Sequence, residues 1–199
     1  MADAPTHSGL LIVLVGPSGV GKSTIARRLA ERMNLWYTVS VTTRPKTPED
    51  DEGKTYEHVD KTEFFRRLDN DEYLEYAHVH GNYYATPKHP AMDYLRQGRI
   101  VLLEIDFQGA MQVRFHYPDA LLIFLLPPDE PTLLQRLKDR GRDSDEDINK
   151  RFRAAKREIH MAKGSHAFDY MVINDDLDRA VDEIVRIIRH QQSEATSTK

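Results

Sequence analysis

The stretch GPSGVGKST, residues 16–24, follows the continuous apolar run LLIVLV, Leu10–Val15, and leads into STIARRLAERM, whose apolar residues recur at helical spacing. Strand, glycine-rich turn and helix follow in that order. Gly16 and Gly21 let the backbone wrap so that successive N–H groups point inward, and the helix that starts there adds the positive end of its dipole. Such a turn holds phosphates. Lys22 supplies a point charge for the β and γ phosphates, and the Ser23 hydroxyl is placed to meet a magnesium ion. With Pro17, Ser18, Gly19, Val20 and Thr24 completing the loop, the segment reads as a nucleoside triphosphate site. It does not say where a transferred phosphoryl group goes: water, a protein side chain and a small molecule are all open as acceptors.

Working outward, three more apolar runs occur: IVLLEID at 100–106, ALLIFLL at 120–126 and YMVIN at 170–174. They alternate with helical stretches at 107–116, 131–140 and 177–190. Strands buried on both faces and alternating with helices predict an α/β fold with a parallel sheet covered on both sides. Two segments break the rhythm. Residues 42–86 hold a polar loop, then the strand-like pieces TYEHV, YLEYAHV and NYYA around the helix-like KTEFFRRL, which predicts a small mixed insert serving as a substrate-binding arm. Residues 141–163 are basic, highly charged and helical, opened by a glycine and a Ser144 cap, and read as a lid. The expected organisation is one domain with a core at 9–41, 87–140 and 164–192, an arm at 42–86, a lid at 141–163 and a disordered polar tail at 193–199.

Composition bounds the function. The chain has 199 residues, 40% hydrophobic and 30% charged, which suits one medium domain with a real core. Cysteine is absent, which excludes disulfides and thiolate metal sites and makes a reducing, cytoplasmic compartment the natural expectation. No apolar run approaches the roughly 20 residues of a membrane helix, and MADAPTHSG lacks the features of a signal peptide. A formal charge of −4 argues against a nucleic-acid partner, so anionic ligands must be met by locally placed cations. The nine histidines are scattered, and HVH at 78–80 reads as exposed strand residues rather than metal ligands.

The insert carries chemistry suited to an acceptor. Arg44 follows Val-Thr-Thr, Lys46 stands two residues on, Tyr56 lies beyond an acidic loop, and Tyr83 and Tyr84 fall in GNYYATP. Cations and phenol hydroxyls together make a phosphate-ester pocket. Strand alternation in YLEYAHV puts Glu75 on the face opposite Leu74 and Tyr76. Glu104 and Asp106 flank Ile105 at the carboxyl end of a parallel strand, where ligands bind in such folds. Ionised carboxylates only accept hydrogen bonds, and a base with adjacent N1–H and N2–H₂ donors is guanine. Its O6 needs a donor, which the hydroxyl of Thr86 or Ser40 supplies. Taken singly these residues read as a solvated arginine, packed tyrosines and an edge carboxylate; the combination carries the argument.

With these residues in place, the chain resembles a guanylate kinase along nearly its whole length. The matching pieces are GPSGVGKST, Ser40 with TTR, Gly53 and Tyr56, LEYA, GNYY, LEIDFQG, LLPP, RLKDRGRDS, NKR and NDDLDRA. The resemblance implies conversion of ATP and GMP to ADP and GDP, with magnesium accompanying ATP, on a P-loop core flanked by a GMP-binding arm and a helical lid. It implies GMP phosphate on Arg44, Tyr56 and Tyr84, and guanine on Ser40, Glu75, Thr86 and Asp106. Arg136, Arg140 and Arg151 are implied near the ATP phosphates and Asn174 near the adenine, with Lys22, Arg44, Arg140 and Arg151 as the catalytic set. The chain departs from the family pattern twice: Thr47 stands where a second arginine is usual, which leaves Lys46 to supply that charge, and Ala85 stands where glycine follows the paired tyrosines. A nucleotide phosphate is already ionised, so no general base is required. A phosphoprotein-binding module and a kinase for another phosphorylated acceptor are the rival readings. The division of labour between Glu104 and Asp106 stays open at this level, with Asp106 assigned to guanine, as do dGMP use and the choice between monomer and small homo-oligomer.

Overall fold

The apolar run Leu10–Val15 becomes the central strand of a parallel sheet, buried on both faces as a run without polar alternation requires. The computed structural model describes residues 9–47, 56–79, 81–139 and 144–197. Along the chain the elements are β1 (Leu10–Val15), α1 (Lys22–Met33), β2 (Trp36–Tyr37), β3 (Ser40–Thr42), β4 (Tyr56–His58), α2 (Lys61–Asp69), β5 (Tyr73–Val79), β6 (Asn82–Pro87), α3 (Lys88–Arg96), β7 (Ile100–Glu104), α4 (Phe107–His116), β8 (Leu121–Leu126), α5 (Glu130–Lys138), α6 (Asp145–Ser165), β9 (Tyr170–Ile173) and α7 (Leu177–Ser197).

The main sheet has the order β2-β7-β1-β8-β9, all parallel, with Val13 opposite Leu103 on one side and Leu122 on the other. Period-two alternation splits β1 between two cores. Ile12 and Leu14 pack with Ile25 and Leu29 of α1 and Ile184 and Ile188 of α7. Leu11, Val13 and Val15 face Leu95 of α3 and Ala110 and Val113 of α4. This is the predicted α/β fold, a parallel sheet between helices.

The insert forms its own four-stranded sheet in the order β4-β3-β6-β5, mostly antiparallel, with Phe64 of α2 closing a small core over Val41, Tyr73 and Ala85. Its edge strand β5 is fastened to the main core by Gln112 of α4, whose amide accepts from Tyr76 N at 3.2 Å and donates to Tyr76 O at 2.6 Å. On the other side, α5 and the first half of α6 share a third core of Leu133, Leu137, Ile148 and Ala155. Ser144 caps α6, accepting from Asp147 N at 3.2 Å, while Ala162 near the far end belongs to the main core and Ile159 packs against both.

Three boundaries differ from the sequence reading. The strand read through residue 106 ends at Glu104, because Asp106 turns out as the N-cap of α4 and accepts from Gly109 N at 2.8 Å. α3 is an unforeseen helix; Pro90 falls in its first turn, where a missing N–H does no harm. α7 continues to Ser197 instead of giving way to a tail at 193, since QQSEAT holds neither glycine nor proline to stop it. Among the described residues no helix is long and apolar enough to cross a membrane.

Candidate active site

The carboxyl ends of β1 and β7, the inner face of the insert sheet and one face of α6 enclose a cleft of about 540 Å³. Its floor is the glycine-rich loop. Gly21 caps α1 with φ 96°, and a Cβ there would also fall 2.6 Å from Asn174 Nδ2, so conformation and space both demand glycine. Asn174 fixes the loop from behind: it is buried, its Nδ2 donates to Val20 O at 2.7 Å, and its own carbonyl accepts from Arg136 Nη2 at 3.0 Å. Lys22 Nζ donates to the carbonyls of Gly16 and, at 3.3 Å, Pro17.

Glu104 and Asp106 part company here. The Glu104 carboxylate accepts from Ser23 Oγ at 2.7 Å and from the Tyr37 hydroxyl. Burial, reinforced by Glu104 itself, holds the Tyr37 phenol well above its usual range, so it remains a donor. Asp106 caps α4, accepting from Gly109 N, and its charge is felt by Glu75 on the insert and by Glu158 on α6.

Glu75 is only 4% exposed, and its Oε1 accepts from Thr86 Oγ1 at 2.7 Å. The two residues are opposite each other in the β5–β6 ladder, and so share a face. Burial pushes the Glu75 carboxyl up to about 7, with the Asp106 carboxylate adding to the rise and the Thr86 hydrogen bond opposing it. Ser40, at the start of β3, lines the same wall.

At the mouth, Tyr56 and Tyr84 meet edge to face with ring centroids 5.9 Å apart, and the Arg44 guanidinium lies 5.5 Å from the Tyr56 centroid. Alternation along β6 sends Tyr83 the other way, into the insert core against Phe64. Lys46 is exposed on the same loop as Arg44. Ala85 sits in β6 with no positive φ, so a side chain there is unstrained.

The structure thus brings together loop residues 16–19 and 21–24, Ser40, Tyr56, Glu75, Tyr84, Asp106 and Arg151 around one cleft, with Thr86 and Arg44 bonded or stacked behind them. It does not bring Arg136 or Asn174 to the cleft lining, and Val20 is buried beneath the loop. Arg140 lies outside the described residues.

Two participants were not foreseen. Tyr37, which fixes Glu104, comes from a strand of two residues without periodicity. Glu158 enters from α6, seven residues after Arg151 and on the same helix face, with Ala154 and Ala155 between them leaving room for close approach. Burial pushes its carboxyl up, helped by Asp106 and opposed by Lys22. The helical spacing of Arg151, Ala155 and Glu158 was the available signal.

A family profile described as guanylate kinase matches residues 8–191. The guanylate kinase of Carboxydothermus hydrogenoformans is 43% identical over 183 residues, 92% of this chain and 88% of its own. That of Thermus thermophilus is 45% identical over 180 residues, 90% and 80% of the two chains. Among solved structures, a guanylate kinase from Anaplasma phagocytophilum is similar with a TM-score of 0.78 at 34% identity, over 94% of this chain and 87% of its own.

Proposed function

The chain belongs to the guanylate kinase family and is an ATP:GMP phosphotransferase, and from that premise we propose how its own residues divide the work. The observation that carries the reading is the buried Glu75 carboxylate, held from behind by Thr86 and lining the same cleft as the glycine-rich loop. Guanine is read by acceptors: Glu75, and Asp106 beside it, receive N1–H and N2–H₂. Thr86 has a single O–H and gives it to Glu75, so Ser40 is the donor left for O6. The GMP phosphate rests on Arg44, Tyr56 and Tyr84, with Lys46 adding a second charge.

ATP lies with its phosphates along residues 16–24. Magnesium fits the opposite wall, because Ser23 and Glu104 present hard oxygen donors 2.7 Å apart. There Ser23 would hold the ion and Glu104 its water shell; when bound, it neutralises phosphate charge. Arm at 42–86 and lid at 141–163 close over the two nucleotides, excluding water that would otherwise consume ATP. Lys22, Arg44, the lid arginine Arg151 and Arg140 just before the lid stabilise the charge on the transferring group, and alignment replaces acid–base chemistry. Arg136 serves the ATP phosphates and Asn174 the adenine side, and the two are linked to each other and, through Asn174, to the Val20 carbonyl of the loop.

The reading is tested by ADP formation with a panel of nucleoside monophosphates and a sugar phosphate. Turnover is expected with GMP, and poor or absent with AMP, CMP, UMP and the sugar phosphate. Equal turnover with AMP would remove guanine recognition from Glu75.

Two further results are expected. Because Glu75 must be ionised to accept, and its carboxyl is pushed up to about 7, KM for GMP should rise about fourfold between pH 8 and pH 6.5 while KM for ATP stays flat. A pH-independent KM for GMP over that range contradicts the role. Replacing Lys46 by alanine removes an exposed charge from the phosphate pocket, so KM for GMP should rise about two- to fivefold with that for ATP unchanged. Thr47→Arg, which restores the usual fork, should lower it. A Lys46→Ala enzyme with normal GMP saturation takes Lys46 out of the site.

A further inference from the structure

Gly109 stands three residues after the Asp106 cap of α4, within LEIDFQG. Its φ is not positive, so the backbone does not require glycine, and alanine is favoured over glycine inside a helix. The requirement comes from a neighbour. A Cβ on Gly109 would lie 2.1 Å from Glu75 Oε2, 2.9 Å from Glu75 Cδ and 3.3 Å from Ile105 Cδ1. To accept it, the carboxylate must move by at least about 1 Å to regain ordinary contact.

Glu75 has no easy retreat. It is buried, and its other oxygen holds the Thr86 hydroxyl at 2.7 Å. The helix cannot simply back away either, because Gln112, one turn on, makes two hydrogen bonds to the backbone of Tyr76, the residue after Glu75. Meanwhile the Gly109 N–H donates to Asp106 Oδ1 at 2.8 Å. One residue therefore touches both carboxylates that face the guanine side of the cleft.

We propose that Gly109 is a positioning residue for base recognition: its bare α-carbon seats the Glu75 carboxylate while its amide fixes that of Asp106, so it sets the spacing of the two acceptors. The proposal rests on the reading of Glu75 and Asp106 given above. A site of this kind must be held within about 0.5 Å of its productive geometry, and the shift forced by a methyl group exceeds that.

The test is a double-mutant cycle of Gly109→Ala with Glu75→Asp, whose shorter side chain leaves room for the new methyl. Gly109→Ala should raise KM for GMP about 10- to 100-fold and leave KM for ATP within about twofold. In the Glu75→Asp background the same substitution should cost little, so that the double variant turns over GMP about as well as Glu75→Asp alone. A normal GMP KM in Gly109→Ala, parallel loss of ATP and GMP saturation, or additive effects in the double variant would each overturn the proposal. If Gly109→Ala alone does not fold, the double variant must, since it relieves the clash; its failure also overturns the proposal. Glu75→Gln separates the two levels. If that variant keeps normal GMP kinetics, the guanine reading itself falls; if it is crippled while Gly109→Ala is normal, only the role of Gly109 does.

Discussion

Glu75→Gln should lower kcat/KM for GMP by about 10⁴-fold while making the ligand-free protein more stable near pH 8. The first effect follows from hydrogen-bond polarity. An amide turned one way presents N–H₂ to the donor edge of guanine, and turned the other way it leaves Thr86 facing a donor. The second effect follows from the buried carboxyl. Its ordinary value of 4.5 is raised to about 7 in the folded protein, so the ionised form is disfavoured by folding. The sign is the reverse of a salt-bridged carboxylate: there is no penalty below pH 4.5, a growing one between 4.5 and 7, and the full one above 7, an upper bound of about 3 kcal/mol. A glutamine with one unpaired N–H returns part of that gain, leaving about 1–2 kcal/mol, or roughly 3–6 °C in Tm. Thermal melts at pH 5 and pH 8 should show the gain at pH 8 and little at pH 5. Unchanged kcat/KM for GMP would sink the recognition role, and an unchanged Tm at pH 8 would show that the carboxylate is not a burden to the fold.

Arg151→Ala should lower kcat about 10²- to 10³-fold and change GMP affinity by no more than about twofold. Arg151 projects from α6 into the cleft, on the wall that also carries Glu158 and across from the glycine-rich loop. On the reading proposed above, a cation there meets the phosphoryl group in transit, while guanine and the GMP phosphate are assigned to the insert. Its contribution therefore belongs to the transition state. Steady-state kinetics paired with direct GMP binding distinguish the cases: a raised KM for GMP with kcat intact would move Arg151 out of the lid role and into the acceptor site.

Much of the fold was legible because the strands of the main sheet are apolar on both faces. LLIVLV gives β1 residue for residue, FQGAMQVRFH gives α4, and YLEYAHV gives β5. What escaped notice lacked a local signal. β2 has two residues, and α3 begins with Lys-His-Pro, which reads locally as a turn. In the cleft, residues with a distinctive chemical pattern, such as Glu75 and the loop at 16–24 apart from Val20, are both singled out by the sequence and brought together by the fold. The contacts that tie distant residues together were not legible in this way. Ser23 and Glu104 are 81 positions apart and bond directly; Arg136 reaches the carbonyl of Asn174 across 38 positions. Gly109 is the clearest case, since an ordinary helical glycine gains meaning only from a carboxylate on a different sheet.

The two-core packing of α6 has a mechanical consequence. Ile159 touches the α5 core on one side and the main core on the other, while a single uninterrupted helix runs through both. Were α6 to tilt together with α5, Ile159 would be the fulcrum and the residues before it the lever. Arg151 is eight residues away, about 12 Å along the axis, so a tilt of roughly 10° carries it about 2 Å. Glu158, beside the fulcrum, barely travels. A small rotation thus changes the arginine's reach while the glutamate keeps its place.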